Sequence, residues 1–390
     1  MVQQGSVQVV KVESRSRAAF QSLVGLLSEI SAEWIGPARG IDDVEGDALA
    51  HESLAAVLGG ALEFFLTEDF DKPQLTPIVS PRRKWSDNPD ARYYFAPLRG
   101  DGAYRIRGRR GSEVYLSFSL HRGDRDGHWP QGVAADLNMN AMHFEPDGSY
   151  EVVLCAGKRA GNWMALPPDA GSIIVRFYYQ NERPAAADPA TAPVLSIERE
   201  RHGEAPTPAA SDAEIAKRLE RVANWVRSKY GRQVLPPAGG ARPGWFSSVP
   251  NVLGAPEAWE SETSGGGWGP VDVAYSAGPY RLESDEVLVI EGRLPRGVFS
   301  NVVLWNALGR TEDYRDRPVS LNAKQIKLDA DRRFRIVVAH ADPGVENWLD
   351  TAGRRTGTIY WRYMLPAEAV EVACCHVVKF DALKARGVNG

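Results

Sequence analysis

One loop-like segment of this chain concentrates groups that could move protons. His121-Arg-Gly-Asp124-Arg-Asp126-Gly-His128-Trp129 carries two imidazoles and two carboxylates side by side. Imidazole titrates near neutrality and can act as general acid or base. His121, Asp124, Asp126 and His128 are therefore the catalytic candidates, with Trp129 offering a ring face to a bound molecule. The same donors could hold a divalent metal. Cupin-type sites, however, place two histidines one residue apart on a strand, and that spacing is missing. The reading assigns no metal and no cofactor; a solvated polar loop would have the same composition.

A second set of candidates comes from an internal repeat. Asn162-Trp163, Gly171-Ser172-Ile173 and Arg176-Phe177 return about 185 residues later as Asn347-Trp348, Gly357-Thr358-Ile359 and Arg362-Tyr363. Self-similarity at a fixed period signals duplicated architecture. Tryptophan can stack on a ligand ring, and an asparagine amide offers one donor and one acceptor side. Asn162, Trp163 and Trp348 are thus candidate binding residues, and equally candidates for tying loops and capping cores. Arg176 and Arg362, one residue before an aromatic, call for an anionic or carbonyl partner if buried. An internal ion pair would satisfy them, as would an anionic ligand. Aligned on the preceding strand, Asn306 takes the place of His121. Asn140 aligns with Asn322, and His143 with Gln325. Asn140, Asn306 and Asn322 complete the binding candidates. Asp87-Asn88-Pro89-Asp90 reads as a turn first, with a catalytic carboxylate as the alternative.

These residues must be carried by strands. From Tyr93 onward the apolar period is two: Tyr104, Ile106, Val114, Leu116, Phe118 and Leu120 alternate with polar residues, as in half-buried strands. Asp147-Gly148 is a hairpin-turn dipeptide. Residues 15–70 have instead a helical period, with Phe20, Leu23, Val24, Leu27 and Ile30 on one expected face. Ser211 and Glu214 form a capping box for a helix whose stripe is Ile215, Leu219, Val222 and Val226. The expected fold is mainly β: two tandem jelly-roll or β-sandwich modules with an N-terminal helical segment and a linking helix. The boundaries are 1–80 helical, 81–202 module one, 203–234 linker and helix, and 235–390 module two.

With 390 residues, 43% hydrophobic, 25% charged and a net charge of −4, the composition is that of a soluble globular protein. It lacks the basic footprint that nucleic acid or an anionic membrane requires. No secretory signal and no apolar stretch long enough to span a membrane is read. Cys155, Cys374 and Cys375 fit neither a disulfide framework nor zinc spacing. They read as buried free thiols, which suits a cytoplasmic location. No nucleophile elbow, P-loop or dinucleotide fingerprint occurs.

Several blocks resemble a family designated domain of unknown function 1214. They are Asp87-Asn88-Pro89-Asp90, Tyr104-Arg-Ile-Arg-Gly108, Arg110-Gly111, Tyr115-Leu-Ser-Phe118, Pro146-Asp-Gly148, Asn162-Trp163 and Val175-Arg176. Leu294-Pro295, Asn347-Trp348-Leu349 and Arg362-Tyr363 resemble its C-terminal module. The ending Tyr363-Met364-Leu365-Pro366 departs from the tyrosine-tryptophan-proline common there. The resemblance covers roughly residues 85–375. It implies a jelly-roll-like sandwich and no settled activity, cofactor or catalytic set.

Eleven tryptophans are present, and Trp85, Trp129, Trp245, Trp259 and Trp268 fall in loop-like segments. A cleft between the modules lined by them would suit a sugar or a bulky apolar or aromatic molecule. The expectation is an enzyme using cofactor-independent acid–base chemistry on such a small-molecule ligand: a hydrolase, lyase or isomerase. The alternatives are a non-catalytic glycan or hydrophobic-ligand binder and a structural assembly protein.

Overall fold

A computed structural model describes residues 13–200, 209–234, 242–260 and 267–385. Of the expected linker at 203–210, residues 203–208 lie outside the described residues, as do 235–241 and 261–266 of the expected loop at 235–269. Ser14 caps α1 (Arg15–Glu29), its hydroxyl accepting from Arg17 N–H, and Asp43 caps α2 (Val44–Ala61) through Gly46 N–H. Both helices end in a wider turn, Ile30–Trp34 and Leu62–Leu66. In α1 the residues that point inward are Ala19, Leu23, Leu26 and Ile30, while Phe20 and Val24 are exposed. The face expected from the sequence was one residue out of phase. Two neighbouring stripes share Leu23 and Ile30, and packing chose the one with the smaller Ala19.

The first module contains β1 (Thr76–Pro77), β2 (Ala91–Pro97), β3 (Tyr104–Arg109), β4 (Tyr115–Arg122) and β5 (Gly132–Asn138). It continues with β6 (Ser149–Cys155), β7 (Asn162–Ala165), β8 (Ala170–Tyr178) and β9 (Val194–Arg199). Next comes α3 (Asp212–Lys229), capped by the Ser211 hydroxyl on Glu214 N–H. The second module runs through β10 (Glu257–Ala258), β11 (Val273–Arg281), β12 (Glu286–Arg293), β13 (Phe299–Asn306) and β14 (Ser320–Asn322). It closes with β15 (Arg333–Ala339), β16 (Trp348–Asp350), β17 (Thr356–Met364) and β18 (Cys374–Lys379), followed by α4 (Phe380–Ala385).

The repeat in sequence is a repeat in topology. Module one pairs its strands in the orders β1-β2-β8-β4-β5 and β7-β6-β3-β9. Module two gives β10-β11-β17-β13-β14 and β16-β15-β12-β18, the same two sheets in the same order. Each module is a β-sandwich whose chain crosses repeatedly between its two sheets, as from β2 to β3 and from β3 to β4. Alternation fills each core: Leu116, Phe118, Leu120, Ile173, Val175 and Phe177 in the first, and Val302, Leu304, Ile359, Trp361 and Tyr363 in the second.

The polar residues that alternate with these do not face water. Ser117, Ser119, His121, Ser172 and Arg176 are all buried. The sheet that carries them is covered on this face by its counterpart in module two, through a cluster of Tyr115, Tyr178, Tyr275, Phe299 and Met364, and by the helical layer, against which Ile174 packs. Of the strands expected to be half-buried, β3 is so, with Arg107 and Arg109 exposed, whereas β4 is buried on both faces.

The helices form a single layer: α3 packs on α1 and α2, and Val222, Trp225 and Val226 share a core with Phe64, Phe65, Trp85 and Phe95. The helix read as a linker thus completes the N-terminal helical unit. The segment Val44–Leu66 is long and apolar enough by composition to cross a membrane, with a mean hydropathy of 1.3, where the sequence reading found none. Here its Val57, Ala61, Phe64 and Phe65 are buried in the helical layer. Its Glu45, Glu52 and Glu63 pair with Arg354, Arg310 and Arg83 of the β modules and their connections. Of the cysteines, Cys155 is buried but Cys374 is exposed, because β18 is an edge strand.

Candidate ligand cleft

Strand register defines how the copies correspond. Arg176 of β8 pairs with Ser117 and Tyr93, and Arg362 of β17 pairs with Asn301 and Tyr275. Counting from these, His121 opposes Ser172 where Trp305 opposes Thr358. His121 therefore corresponds to Trp305, not to Asn306. Asn138 pairs with Ser117 as Asn322 pairs with Asn301, so the partner of Asn322 is Asn138, not Asn140. The sequence alignment was shifted by one and two residues, because loops of unequal length and bulges beside His121 hide the register.

The correspondence exposes a reciprocal latch. Asp90, just before β2, accepts from Asn322 Nδ2 at 2.9 Å and Asn301 Nδ2 at 2.8 Å, both in module two. Asp272, just before β11, accepts from Asn138 Nδ2 at 2.8 Å and from the Tyr115 hydroxyl, both in module one. Burial pushes the Asp90 carboxyl up to about 6, against the opposing pull of the two amides and Arg362. Asp87 belongs to the same contact, accepting from Thr311 N–H at 3.1 Å. The Asp87–Asp90 turn is thus an intermodule clamp.

Beside this latch, between the modules and the helical layer, lies a cavity of about 1140 Å³. Five tryptophans singled out from the sequence, Trp85, Trp129, Trp245, Trp259 and Trp268, line it, together with Trp225 and Trp305. Tyr93, Tyr178, Tyr275 and Tyr360 add phenol rings. Burial raises the Tyr178 and Tyr360 hydroxyls well above the ordinary value and Tyr275 to about 12. These groups stay protonated at neutral pH and can donate hydrogen bonds. The described lining residues include Arg176, Lys229 and Arg362 but no aspartate, glutamate or histidine.

The two arginines live differently. Arg176, 1% exposed, donates from Nη1 to Ser119 Oγ and from Nη2 to the Trp268 carbonyl, both at 2.6 Å. Ser119 in turn donates to Asp136 at 2.5 Å. Burial lifts Asp136 to about 6, with the Ser119 bond and the Arg176 charge opposing it. Arg362, 4% exposed, has an Nη1 with no hydrogen-bond partner among the described residues. Its guanidinium stands 4.5 Å from the Tyr360 ring and 5.4 Å from the Trp305 ring. Ring faces attract the cation but leave its donors unsatisfied, and a buried unsatisfied donor is costly.

Lys229 closes the other side. It is 5% exposed and its ammonium lies 5.9 Å from Trp85 and 5.8 Å from both Trp225 and Trp268. Trp225 and Trp268 are stacked at 4.4 Å. The lysine donates to Gln233 Oε1 and makes no ion pair among the described residues. Burial pulls its ammonium down to about 7.

The acid–base candidates are not brought together here. His121 is wholly buried outside the cleft lining. Burial, reinforced by the Arg176 charge, holds it neutral. Asp124 is buried behind the cleft, accepting from the Ser172 hydroxyl and from Trp268 Nε1 at 3.1 Å. Burial pushes it up to about 6, and its work is to hold the Trp268 indole. Asp126 is exposed, 3.6 Å from Arg221, and His128 is exposed beside Asn224 at 3.4 Å. Of the binding candidates, Trp129, Arg176 and Arg362 line the cleft.

The rest lie elsewhere: Asn322 belongs to the latch, and the others serve turns, packing or the surface. Asn162 accepts from His143 N–H and donates to the His143 and Glu151 carbonyls. Asn347 does the same with Lys327 and Arg335. Trp163 donates to the Cys155 carbonyl, and Trp348 packs with Val345, Val378 and Phe380. Asn140 is exposed, and Asn306 accepts from Leu308 N–H and Arg310 N–H in a turn. The repeated Gly171 is required by close approach: a Cβ there would lie 2.3 Å from Arg125 N and Asp124 Oδ1.

Sequence reasoning missed Lys229, Trp225, Trp305 and the four tyrosines. For Trp305 and the tyrosines the usable signal was polar or oversized side chains at the alternate positions of strands whose other face is strictly apolar; Trp225 and Lys229, on α3, carried no such signal.

No family model matches this chain, and no curated protein matches it. Among solved structures, it is similar to an uncharacterised protein from Burkholderia cenocepacia, with 29% identity and a TM-score of 0.80. The match covers 94% of this chain and 98% of that one. A protein from Vibrio parahaemolyticus matches at 14% identity and a TM-score of 0.49, covering 85% of this chain and 98% of that one.

Proposed function

We propose that the protein recognises a bulky aromatic organic anion, such as an aryl carboxylate, in the cleft between its two sandwich modules. The observation that carries this reading is Arg362: a buried guanidinium with a free donor, framed by Tyr360 and Trp305, on the wall of a roomy aromatic cavity. A carboxylate would complete the bonds that the chain leaves open, and charge-assisted bonds of this kind are the strong ones. The indole and phenol faces would hold an aromatic body by stacking and burial. Acid–base catalysis by His121, Asp124, Asp126 and His128 gains no support, because none of them borders the cleft. The free thiols support a reducing, cytoplasmic setting.

The test is calorimetric titration with 2-naphthoate and with its neutral carboxamide. The expected result is binding of the acid, about tenfold to a hundredfold tighter than the amide, as one charged hydrogen-bonding group is worth ~1.5–3 kcal/mol. Arg362→Met should abolish that preference. Equal binding of acid and amide, or binding of neither, would overturn the reading.

A further inference from the structure

Lys229 is not explained by anion recognition alone. A buried lysine ordinarily meets a carboxylate, yet this one reaches the cleft from the last turn of α3 with only Gln233 Oε1 and three indoles around it. A flexible four-carbon stem in an apolar site is the setting in which a lysine serves as nucleophile. The cavity wall gives a small molecule access to it, and no aspartate or glutamate of the described lining competes for the ammonium.

We propose that Lys229 condenses with the carbonyl group of an aromatic aldehyde or ketone in the cleft, forming a covalent imine. The inference rests on the cleft being the aromatic-ligand site proposed above. In the step, the Nζ lone pair forms the C–N bond while the carbonyl π electrons pass to oxygen, and one proton leaves the nitrogen for that oxygen by way of water. The resulting carbinolamine is protonated on its hydroxyl, and water leaves as the C=N bond forms. The product is a protonated imine. Its positive charge sits where the ammonium charge sat, facing the rings of Trp85, Trp225 and Trp268, which favour a cation, and its N–H can still donate to Gln233. Neither reactant is oxidised or reduced. The amine must be neutral to attack, and desolvation of Lys229 supplies a fraction of that form at neutral pH.

The test uses the full chain with 2-naphthaldehyde and with 6-formyl-2-naphthoate, each trapped by borohydride and mapped by peptide mass. The expected result is one dominant adduct, at Lys229, blocked by excess 2-naphthoate and absent from Lys229→Arg. Labelling spread evenly over the lysines, or none at Lys229 with either probe, overturns the imine. Protection by 2-naphthoate uses the unaltered protein, so a folding defect in the variant cannot decide the outcome. The two readings separate: 2-naphthoate binding without an adduct removes the imine and leaves anion recognition. A Lys229 adduct that forms equally with both probes and is not blocked by 2-naphthoate keeps the imine and removes anion recognition.

Discussion

Arg176 and Arg362 occupy the same position in two copies of one module, and only one of them is satisfied by the protein. In module one, Ser119, the Trp268 carbonyl and, through Ser119, Asp136 absorb the charge and the donors. In module two, Val303 stands at the Ser119 position by register, and the guanidinium is left against ring faces. Duplication kept the cation and changed its surroundings. The lesson is that an identical residue in two repeats can be a brace in one and a reader of ligand in the other. The neighbours on the next strand decide which.

The sharpest way to break this comparison is to remove each arginine in turn. Arg176→Met should destabilise the protein by about 3 kcal/mol, because Ser119, Asp136 and the Trp268 carbonyl lose a buried partner. Arg362→Met should leave the melting temperature unchanged or raise it, while ending 2-naphthoate binding. Equal melting shifts would show that the two sites are alike. Next in size is the latch. Asp90→Ala strands two buried amides, and about 2 kcal/mol of stability should be lost by chemical denaturation. Asp272→Ala should lose a comparable amount by stranding Asn138 and the Tyr115 hydroxyl.

A pH series sharpens the picture further. Asp90, Asp124 and Asp136 have folded values of about 6 against an ordinary 3.8. The folded state therefore holds more protons than the unfolded one between those values, and stability falls as pH rises from about 4 to about 6. Lys229 has a folded value of about 7 against 10.5. Above pH 7 the folded state holds fewer protons there, so stability rises with pH. Melting temperature should pass through a minimum between the two windows. Lys229→Met should flatten the alkaline limb and Asp136→Asn the acid limb. The smallest effects are expected from the repeated asparagines. Asn162→Ala and Asn347→Ala should each cost about 1–2 kcal/mol and leave ligand affinity untouched.

Much of the frame was legible in the sequence because it rests on short-range periodicity. The alternation from Tyr104 to Leu120 matches the observed core, and the repeated Asn-Trp, Gly and Arg positions match the repeated sheet order. The five loop tryptophans line one cavity because such residues sit at sandwich edges, where modules meet. The proton-moving segment misled for a physical reason. His121 lies on the outer face of a sheet that the second module and the helical layer cover, and period-two alternation cannot distinguish solvent from such a cover. Lys229 was invisible for the converse reason: a basic residue in the last turn of a helix is ordinary by the macrodipole rule. Only the tertiary placement of Trp85 and Trp268 around it gives it a role.

The reciprocal clamp at Asp90 and Asp272 also governs how the molecule can come apart. Each module supplies a carboxylate whose hydrogen-bonding side-chain amides, among the described residues, belong to its sibling. Neither can melt first without leaving its sibling's carboxylate or amides unanswered in a buried seam. The duplicated chain should therefore unfold as one cooperative unit, with a single transition spanning both halves.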